Sequence, residues 1–319
     1  MFLFAVGEAF RSGTHKAMIF TWLRLQGRTS ERTRIYGYTR SWSKYGSAAS
    51  VILAAVIVFA SDSYVFYLSV IPYLAGVINF LGYPAELDGT VSGGVSLRQM
   101  GRHLQASFKE VFSSRRLRRL IAESVGFQGI YECVKDYLQP VLRAAAIVAS
   151  GYWVATSELS DIQQTALVVG PVYLVLYLLA GFASRQSHVI AGRAGDEERA
   201  AHLLWGVNTL IFAALSAVAY WDVVIAIVIA FVLLDVFQNL WRPVQLGRFD
   251  AHGKEEQGAT LLSIESQAKR GAAVIIAPLL GLAVDTVTFQ SIGGPYWPVG
   301  ALGVVVAAWF FFTAPASSR

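Results

Sequence analysis

Residues 223–240 read VVIAIVIAFVLLDVFQNL, and this stretch decides the fold class. Asp235 is its only ionisable residue. A run of about 18 or more apolar residues is long enough to cross the hydrocarbon core of a bilayer as a helix. The stretch therefore predicts a transmembrane helix.

The composition of the whole chain agrees with a membrane protein. Of its 319 residues, 55% are hydrophobic and 15% are charged, and the mean hydropathy is +0.50. Soluble domains carry about 25% charged residues. The single Cys133 excludes an internal disulfide and a thiolate metal site. We expect an all-α, polytopic transmembrane helix bundle with no metal and no cofactor.

Nine stretches have the length and apolarity of membrane spans. In the first, fourth and eighth of them, the charged residues fall mainly on one side of a helix. The nine spans are residues 2–23, 43–60, 64–83, 120–145, 163–183, 201–220, 223–240, 260–284 and 296–313.

The basic residues indicate how the spans are oriented. If the first span runs from outside to inside, the inner connections and their flanks carry twenty of the 26 Lys and Arg residues, among them Arg40, Lys44 and Arg242. The outer connections are acidic, with residues such as Asp62 and Asp222. This asymmetry follows the positive-inside rule and predicts that the inner connections are cytoplasmic.

The connection 85–117 differs from the others in length and composition. Residues 87–96 are rich in Gly and Ser, and apolar residues then recur at helical spacing: Leu97, Met100, Leu104, Phe108, Val111 and Phe112. One interpretation is a helix on the cytoplasmic membrane surface, and the other is a linker helix packed on the span ends. The basic run 115–119 (RRLRR) favours anionic lipid headgroups, rather than nucleic acid, as its partner.

Three spans, a long basic connection and six further spans resemble a major facilitator superfamily transporter that lacks its first three helices. Residues 7–13 (GEAFRSG), the turn at Gly27-Arg28 and residues 40–46 (RSWSKYG) resemble the fourth and fifth helices of bacterial members. Arg242-Pro243, 259–263 (ATLLS) and 277–281 (APLLG) resemble their tenth and eleventh helices. The resemblance covers essentially the whole chain.

The resemblance implies a division of the chain. Residues 1–84 would be the last three helices of the amino-terminal half, 85–117 a cytoplasmic linker, and 118–319 a complete six-helix carboxyl-terminal half. It also implies a multi-pass protein of the bacterial cytoplasmic membrane, monomeric if the chain is complete, that moves a small solute by alternating access.

One motif of that family is only partly present. The loop pattern Gly-x-x-x-Asp-Arg-x-Gly-Arg is expected between the eighth and ninth family helices. Here Gly181 and Arg185 fit the pattern, but Ser184 stands at the Asp position and Ser187 at the Gly position. An Asp–Arg latch is therefore not expected in this half.

Ionisable residues in the first span share one helix face. A charge at mid-bilayer costs about 2.5–3.5 kcal/mol on insertion scales, so it needs a partner, water or a functional role. Glu8, Arg11 and His15 lie at i, i+3 and i+7. One hypothesis is a cavity wall at which Glu8 or His15 takes up a proton, and the alternative is a structural Glu8–Arg11 ion pair.

The fourth span also has one polar face, formed by Gln128, Glu132, Lys135, Asp136 and Gln139. Glu132 and Lys135 have the i, i+3 spacing of an ion pair. Such a face cannot lie against lipid. It either lines a water-filled cavity or takes part in a polar helix-packing network.

The seventh span repeats the pattern with Asp235, Gln238, Asn239 and Arg242. Arg242 precedes Pro243 at the predicted cytoplasmic interface, where a long side chain reaches water at little cost. Asp235 is therefore expected to be the only residue of this stripe whose charge is costly to bury in the membrane.

The eighth span contains Glu265 and Lys269 at i, i+4, followed by Arg270. The two adjacent cations suit an anionic substrate, or one of them suits a buried counter-ion for Asp235. The sequence alone does not choose between these two roles.

Three classes of function remain to be compared. The five histidines show no metal-ligand spacing, and no Gly-x-Ser-x-Gly, P-loop or paired-aspartate motif is present, so an enzyme is not expected. A non-transporting, receptor-like or incomplete membrane protein is the alternative to secondary transport, with or without proton coupling. The predicted substrate or proton pathway comprises Glu8, Arg11, His15, Gln128, Glu132, Lys135, Asp136, Asp235, Asn239, Glu265, Lys269 and Arg270.

Overall fold

The computed structural model describes residues 14–60, 64–87, 111–153, 160–252 and 258–314, together with 102, 105, 108 and 109. Across these residues the secondary structure is helical, and they contain no strand. The predicted all-α class is therefore confirmed.

The helices are joined mostly by short turns. A π-helical turn, Val125–Gly129, joins α5 to α6, and a 3₁₀ turn, Lys135–Tyr137, joins α6 to α7. The α-helices are α1 (Thr14–Leu25), α2 (Arg32–Ala60), α3 (Tyr64–Leu68), α4 (Val70–Leu81), α5 (Arg115–Ser124), α6 (Ile130–Val134), α7 (Leu138–Trp153), α8 (Asp161–Ala194), α9 (Glu197–Tyr220), α10 (Val224–His252), α11 (Gly258–Gln290) and α12 (Trp297–Phe312).

Several helices are long and apolar enough to cross a membrane. Within the described ranges there are five: Thr29–Val58, Ala166–Ala194, Glu197–Tyr220, Val224–His252 and Thr260–Gln290. They contain all or most of the second, fifth, sixth, seventh and eighth predicted spans. Two shorter helices, α4 and α12, are also apolar. These helices indicate a membrane-embedded protein.

The turn between α8 and α9 shows how local sequence sets the helix ends. Gly195, with φ of +97°, takes a left-handed conformation that ends α8. Asp196 then caps α9 by accepting a hydrogen bond of 2.7 Å from the N–H of Arg199. At the other end of α8, Ser160 and Gln163 form a reciprocal capping box.

Small residues allow the helices to approach closely. The most extensive contacts join α2 to α8, α9 to α12, and α10 to both α8 and α9. A Cβ atom at Gly37 would lie 2.5 Å from the carbonyl oxygen of Ser184, and one at Gly300 would lie 2.4 Å from the backbone nitrogen of Ser216. Larger side chains at these glycines would push the helices apart.

The α2–α8 contact also explains why serines suit positions 184 and 187. Ser184 and Ser187 are fully buried, and the Ser184 hydroxyl donates a hydrogen bond of 3.2 Å to the carbonyl oxygen of Gly37. A carboxylate at position 184 would be desolvated beside that carbonyl group. A small hydroxyl side chain suits this contact better than aspartate.

Helix α10 exposes its apolar side and buries its polar side. Ile225, Ile229 and Leu233 are 78%, 54% and 41% exposed, whereas Asp235 and Arg242 are 3% and 1% exposed. This arrangement is the reverse of that on a soluble surface helix. It suits a helix whose outer face contacts lipid and whose polar groups face the interior of the bundle.

Two helices extend past the predicted span limits. Helix α2 begins at Arg32 rather than at residue 43, and α10 continues to His252 rather than ending at residue 240. Arg40 and Arg242, which lie outside the predicted spans, are therefore helical residues, and Lys44 lies well inside α2. Apolarity sets the limits of a span, but a helix continues for as long as its polar residues find partners.

Two predicted spans are not single regular helices. The fourth span is interrupted by the π and 3₁₀ turns between α5 and α7. The third is broken at Ser69, between α3 and α4. Of the predicted amphipathic helix after residue 96, Leu97, Met100 and Leu104 lie outside the described residues. Val111 is buried and Phe112 is 66% exposed.

Candidate solute cavity

A polar cavity of about 360 Å³ lies between α2, the interrupted helix α5–α7, α8 and α10. Its walls carry three cationic and three acidic side chains. The charged members are Arg40, Lys44, Lys135, Glu132, Asp136 and Asp235. The other lining residues are Gln128, Tyr131, Gln139, Tyr173, Tyr177, Gln238, Leu138, Leu176 and Phe231.

The interrupted helix supplies one wall of this cavity. A π turn contains one more residue than an α turn, and a 3₁₀ turn is tighter, so both change the direction of the side chains that follow. Gln128 lies in the π turn, and Lys135 and Asp136 lie in the 3₁₀ turn. With Glu132 and Gln139 they all line the cavity, and Lys135, Asp136 and Gln139 are exposed.

Asp235 is held at the buried side of the cavity by three neighbours. The Tyr131 hydroxyl donates to its carboxylate, and Lys44 Nζ lies 3.7 Å from Oδ1. Asn239 Nδ2 donates to Oδ2 at 3.1 Å, and Arg40 Nε donates to Asn239 Oδ1 at 2.8 Å. The counter-ion of Asp235 is therefore Lys44 of α2, and not Lys269 or Arg270 of α11.

A second buried network joins α10 to α11. Arg242 donates to both carboxylate oxygens of Glu265, at 2.7 and 3.0 Å, and these two side chains are 1% and 0% exposed. Lys269 Nζ lies 3.1 Å from Glu265 Oε1. The expectation that Arg242 reaches water at an interface is wrong, because α10 continues past it and buries it.

A glutamine connects this network to the cavity wall. Lys269 Nζ donates to Gln128 Oε1 at 2.7 Å, and Gln128 Nε2 donates to Glu132 Oε1 at 2.9 Å. Glu132 therefore has Gln128 as its partner instead of Lys135. The i, i+3 prediction assumed a regular helix, and the 3₁₀ turn begins at Lys135.

The structure brings the predicted pathway residues together only in part. Glu8 and Arg11 lie outside the described residues. His15 on α1 and Arg270 on α11 are exposed, and neither lines the cavity. Asn239, Glu265 and Lys269 do not line it either, but all three are buried. Asn239 and Lys269 are bonded to residues that line the cavity, and Glu265 is bonded to Arg242 and Lys269.

Sequence reasoning missed four residues that shape the site. The positive-inside count of Arg40 and Lys44 does not use their i, i+4 spacing, which indicates a shared helix face. Gln238 belongs to the polar stripe of α10 but is absent from the predicted pathway. Tyr131 gave no signal, because its role depends on Asp235 of another helix.

A second, apolar cavity of about 470 Å³ adjoins the polar one. Both are lined by Tyr173 and Tyr177, which lie one turn apart on α8. Lys44 Nζ lies 5.2 Å from the centre of the Tyr177 ring. The remaining lining of the second cavity is Val51, Ala54, Ala55, Val58, Arg143, Ile162, Ala166, Val169 and Gly170.

Ion pairs join the helices at one end of the bundle, called here the basic end. It comprises the neighbouring ends of α1, α2, α5, α9 and α10. Its basic side chains include Arg24, Arg32, Arg116, Arg119 and Arg248. Arg24 pairs with Asp250, and Arg32 Nη2 lies 3.2 Å from Glu197 Oε2.

The most buried pairs at the basic end centre on Arg248 of α10. Its guanidinium lies 2.5 Å from Glu123 Oε2 and 2.6 Å from Glu198 Oε2. Arg119 Nε donates to the other Glu123 oxygen at 2.8 Å. These bonds join α5, α9 and α10, while the Arg24 and Arg32 pairs join α1 and α2 to the same helices.

Within the described ranges, no three His, Cys, Asp or Glu side chains are grouped closely enough to hold a metal ion. The chain matches no protein-family model and no curated protein.

Proposed function

We propose that this chain is a secondary transporter that moves a small solute across the bacterial cytoplasmic membrane by alternating access. The observation that carries the proposal is the charged cavity enclosed by apolar helices. Of its charged side chains, Asp235 is buried, and Arg40, Lys44 and Glu132 are partly buried. Ionisable residues inside a membrane protein mark substrate and ion pathways by default.

The position of the cavity supports this proposal. Its walls come from α2, which precedes residue 85, and from helices that follow residue 117. In alternating access, two helical units move against each other around a site that lies between them. A cavity with one wall from each part of the chain opens to one side of the membrane or to the other as these parts move.

The ion pairs of the basic end suit a gate. One pair, Arg24–Asp250, joins α1 to α10, and another, Arg32–Glu197, joins α2 to α9. Partly exposed ion pairs are individually weak, with about 0–1 kcal/mol each. Pairs of this strength can hold one end of a transporter closed and still break during each transport cycle.

The proposal includes the arrangement of the major facilitator superfamily. When α3 is grouped with α4, and α5 with α6 and α7, the described helices form nine units, three before residue 85 and six from residue 115 onward. This count agrees with a division into residues 1–84, a linker 85–117 and a six-helix half 118–319. Tight α2–α8 packing joins the two parts.

Anionic lipid headgroups are the proposed partners of the basic end. A cavity of about 420 Å³ there is lined by Arg115, Arg116, Arg119 and Arg248, with Glu198 as its only acidic lining residue. Basic side chains beside a membrane helix attract anionic lipids by about 1 kcal/mol each.

Transport is tested by uptake of a pooled, labelled solute library into proteoliposomes with an imposed proton gradient. We expect uptake by the wild-type chain and a loss of at least ten-fold in Asp235→Asn, because the Lys44 ion pair would be lost. Glu31→Gln, which alters an acid at the start of α2 far from the cavity wall, is the matched control. Solute binding without uptake would favour the receptor-like alternative.

Proton coupling through the first span remains a separate prediction. Glu8→Gln is expected to reduce uptake or to change its pH dependence, because a glutamine cannot take up a proton. Uptake at the wild-type rate with the same pH dependence would exclude Glu8 as the coupling residue.

A further inference from the structure

Among the residues that the structure describes, the polar cavity contains charges of both signs that form no ion pair: Arg40, Lys135, Glu132 and Asp136. Within the described part of the chain, Arg40 donates only through Nε, to Asn239. Glu132 accepts one hydrogen bond from Gln128. Among the residues that the structure describes, neither Lys135 nor Asp136 has an ion-pair partner, whereas Asp235 has Lys44.

These charges are distributed over two walls. The α2 wall presents Arg40 beside Lys44, which pairs with Asp235, and the wall from the interrupted helix presents two carboxylates, Glu132 and Asp136, beside Lys135. A solute with a single negative charge would leave the acidic wall unmatched, and a cation would leave the α2 wall unmatched. A solute with one charge of each sign matches both walls.

Gln238 gives independent evidence of a polar ligand. It lines the cavity and is 2% exposed, and in the described ranges neither its amide nitrogen nor its amide oxygen has a hydrogen-bond partner. A buried polar group left without a partner costs about 1–3 kcal/mol. A ligand with both a donor and an acceptor would satisfy both ends of this amide.

The adjoining apolar cavity indicates that the ligand also carries an apolar group. It shares Tyr173 and Tyr177 with the polar cavity, and its other walls are mainly Val, Ala, Ile and Gly. The two cavities together have space for a polar group on one side of the tyrosines and an apolar group on the other. Ligand sites typically combine such an apolar wall with a few polar anchors.

We infer that the solute is a small zwitterion that carries an apolar substituent, as amino acids with large apolar side chains and short peptides do. This inference rests on the proposed function for its site, but not on transport itself. The carboxylate lies towards Arg40 and Lys44, the ammonium group towards Glu132 and Asp136, and the apolar group in the adjoining cavity.

The test is equilibrium binding to the purified full chain in lipid nanodiscs. The zwitterionic probes are phenylalanine, leucine and alanylphenylalanine. The matched probes are phenylpropionate, which lacks the amine, phenylalanine methyl ester, which lacks the carboxylate, and glycine, which lacks the apolar group. We expect at least one zwitterionic probe to bind at least ten-fold more tightly than each matched probe.

Three variants locate the bound ligand. Gln238→Leu, which keeps the shape of the side chain, should weaken binding of the apolar zwitterion at least ten-fold. Ala55→Trp, which fills the apolar cavity, should weaken it similarly and leave glycine binding unchanged. Leu53→Trp on the exposed face of the same helix is the control and should change neither.

The outcomes separate this inference from the proposal of transport. Equal binding of phenylpropionate or the methyl ester, or no binding of any zwitterionic probe, contradicts the inference. Uptake of a solute of another charge class supports transport and contradicts the inference. Binding of apolar zwitterions without uptake supports the inference and contradicts transport.

Discussion

Replacing Arg242 by Gln tests whether the buried ion pair of α10 and α11 holds the bundle together. Its guanidinium makes two hydrogen bonds to Glu265, of 2.7 and 3.0 Å, with both side chains at most 1% exposed. Removing one partner of a buried pair costs about 3–5 kcal/mol, because the other charge stays buried and unpaired. Lys269 remains 3.1 Å from Glu265 in the variant. We therefore expect Arg242→Gln to lower the free energy of unfolding by about 3 kcal/mol.

The same network predicts a larger loss of stability for Glu265→Gln. That change leaves Arg242 and Lys269 buried together without their shared carboxylate, so the loss should lie near 5 kcal/mol. The assay is reversible unfolding in mixed micelles for both single variants and the double variant. A double-mutant cycle should give a coupling energy well above the roughly 0.5 kcal/mol at which sites count as independent.

An exposed pair with the same chemistry provides the control. Arg28 donates to both oxygens of Glu31, at 2.8 and 2.9 Å, but lies in the turn before α2. Arg28→Gln should change the free energy of unfolding little, because water replaces the lost contacts. If Arg242→Gln costs no more than Arg28→Gln, or if its effect adds to that of Glu265→Gln without coupling, the reasoning about burial is refuted.

Three further predictions concern packing and the cavity. Gly37→Val should destabilise the chain by about 1–3 kcal/mol, because its Cβ atom would meet the backbone of α8. Gly46→Val on the same helix, with nothing within 4 Å of that Cβ atom, should have a much smaller effect in the same unfolding assay. Gly300→Val should behave like Gly37→Val, and unchanged stability would show that α9 and α12 are not in close contact. Tyr131→Phe should cost about 1–3 kcal/mol, because Asp235 loses a hydrogen-bond donor; a loss no larger than experimental error would contradict that bond.

The apolar helices could be predicted from sequence because their signal is local. A run such as residues 223–240 needs no partner to be recognised as a span. The limits of the helices could not be predicted in this way. Arg40, Lys44 and Arg242 resemble loop residues when hydropathy alone is considered. They remain helical because Asn239, Asp235 and Glu265 provide partners from elsewhere in the fold.

The polar faces were recognisable, but their pairings were not. Helical spacing correctly indicated the Glu265–Lys269 pair, because α11 is regular at that point. It failed for Glu132 and Lys135, because the helix changes its turn there. Spacing rules assume 3.6 residues per turn, and a π or 3₁₀ turn breaks that assumption without an obvious sequence signature.

The π turn at Val125–Gly129 also sets the angular register of everything that follows it in the interrupted helix. Each residue of an α-helix advances the side-chain direction by about 100°. Because a π turn contains one more residue than an α turn, winding Val125–Gly129 as regular α-helix without a deletion would rotate the following segment by about that angle. Glu132, Asp136 and Gln139 would then turn away from the cavity, although no residue that lines it had been substituted. Deleting one residue from the turn would instead convert it to an α turn and keep these side chains directed at the cavity, so the extra residue and the π geometry compensate each other.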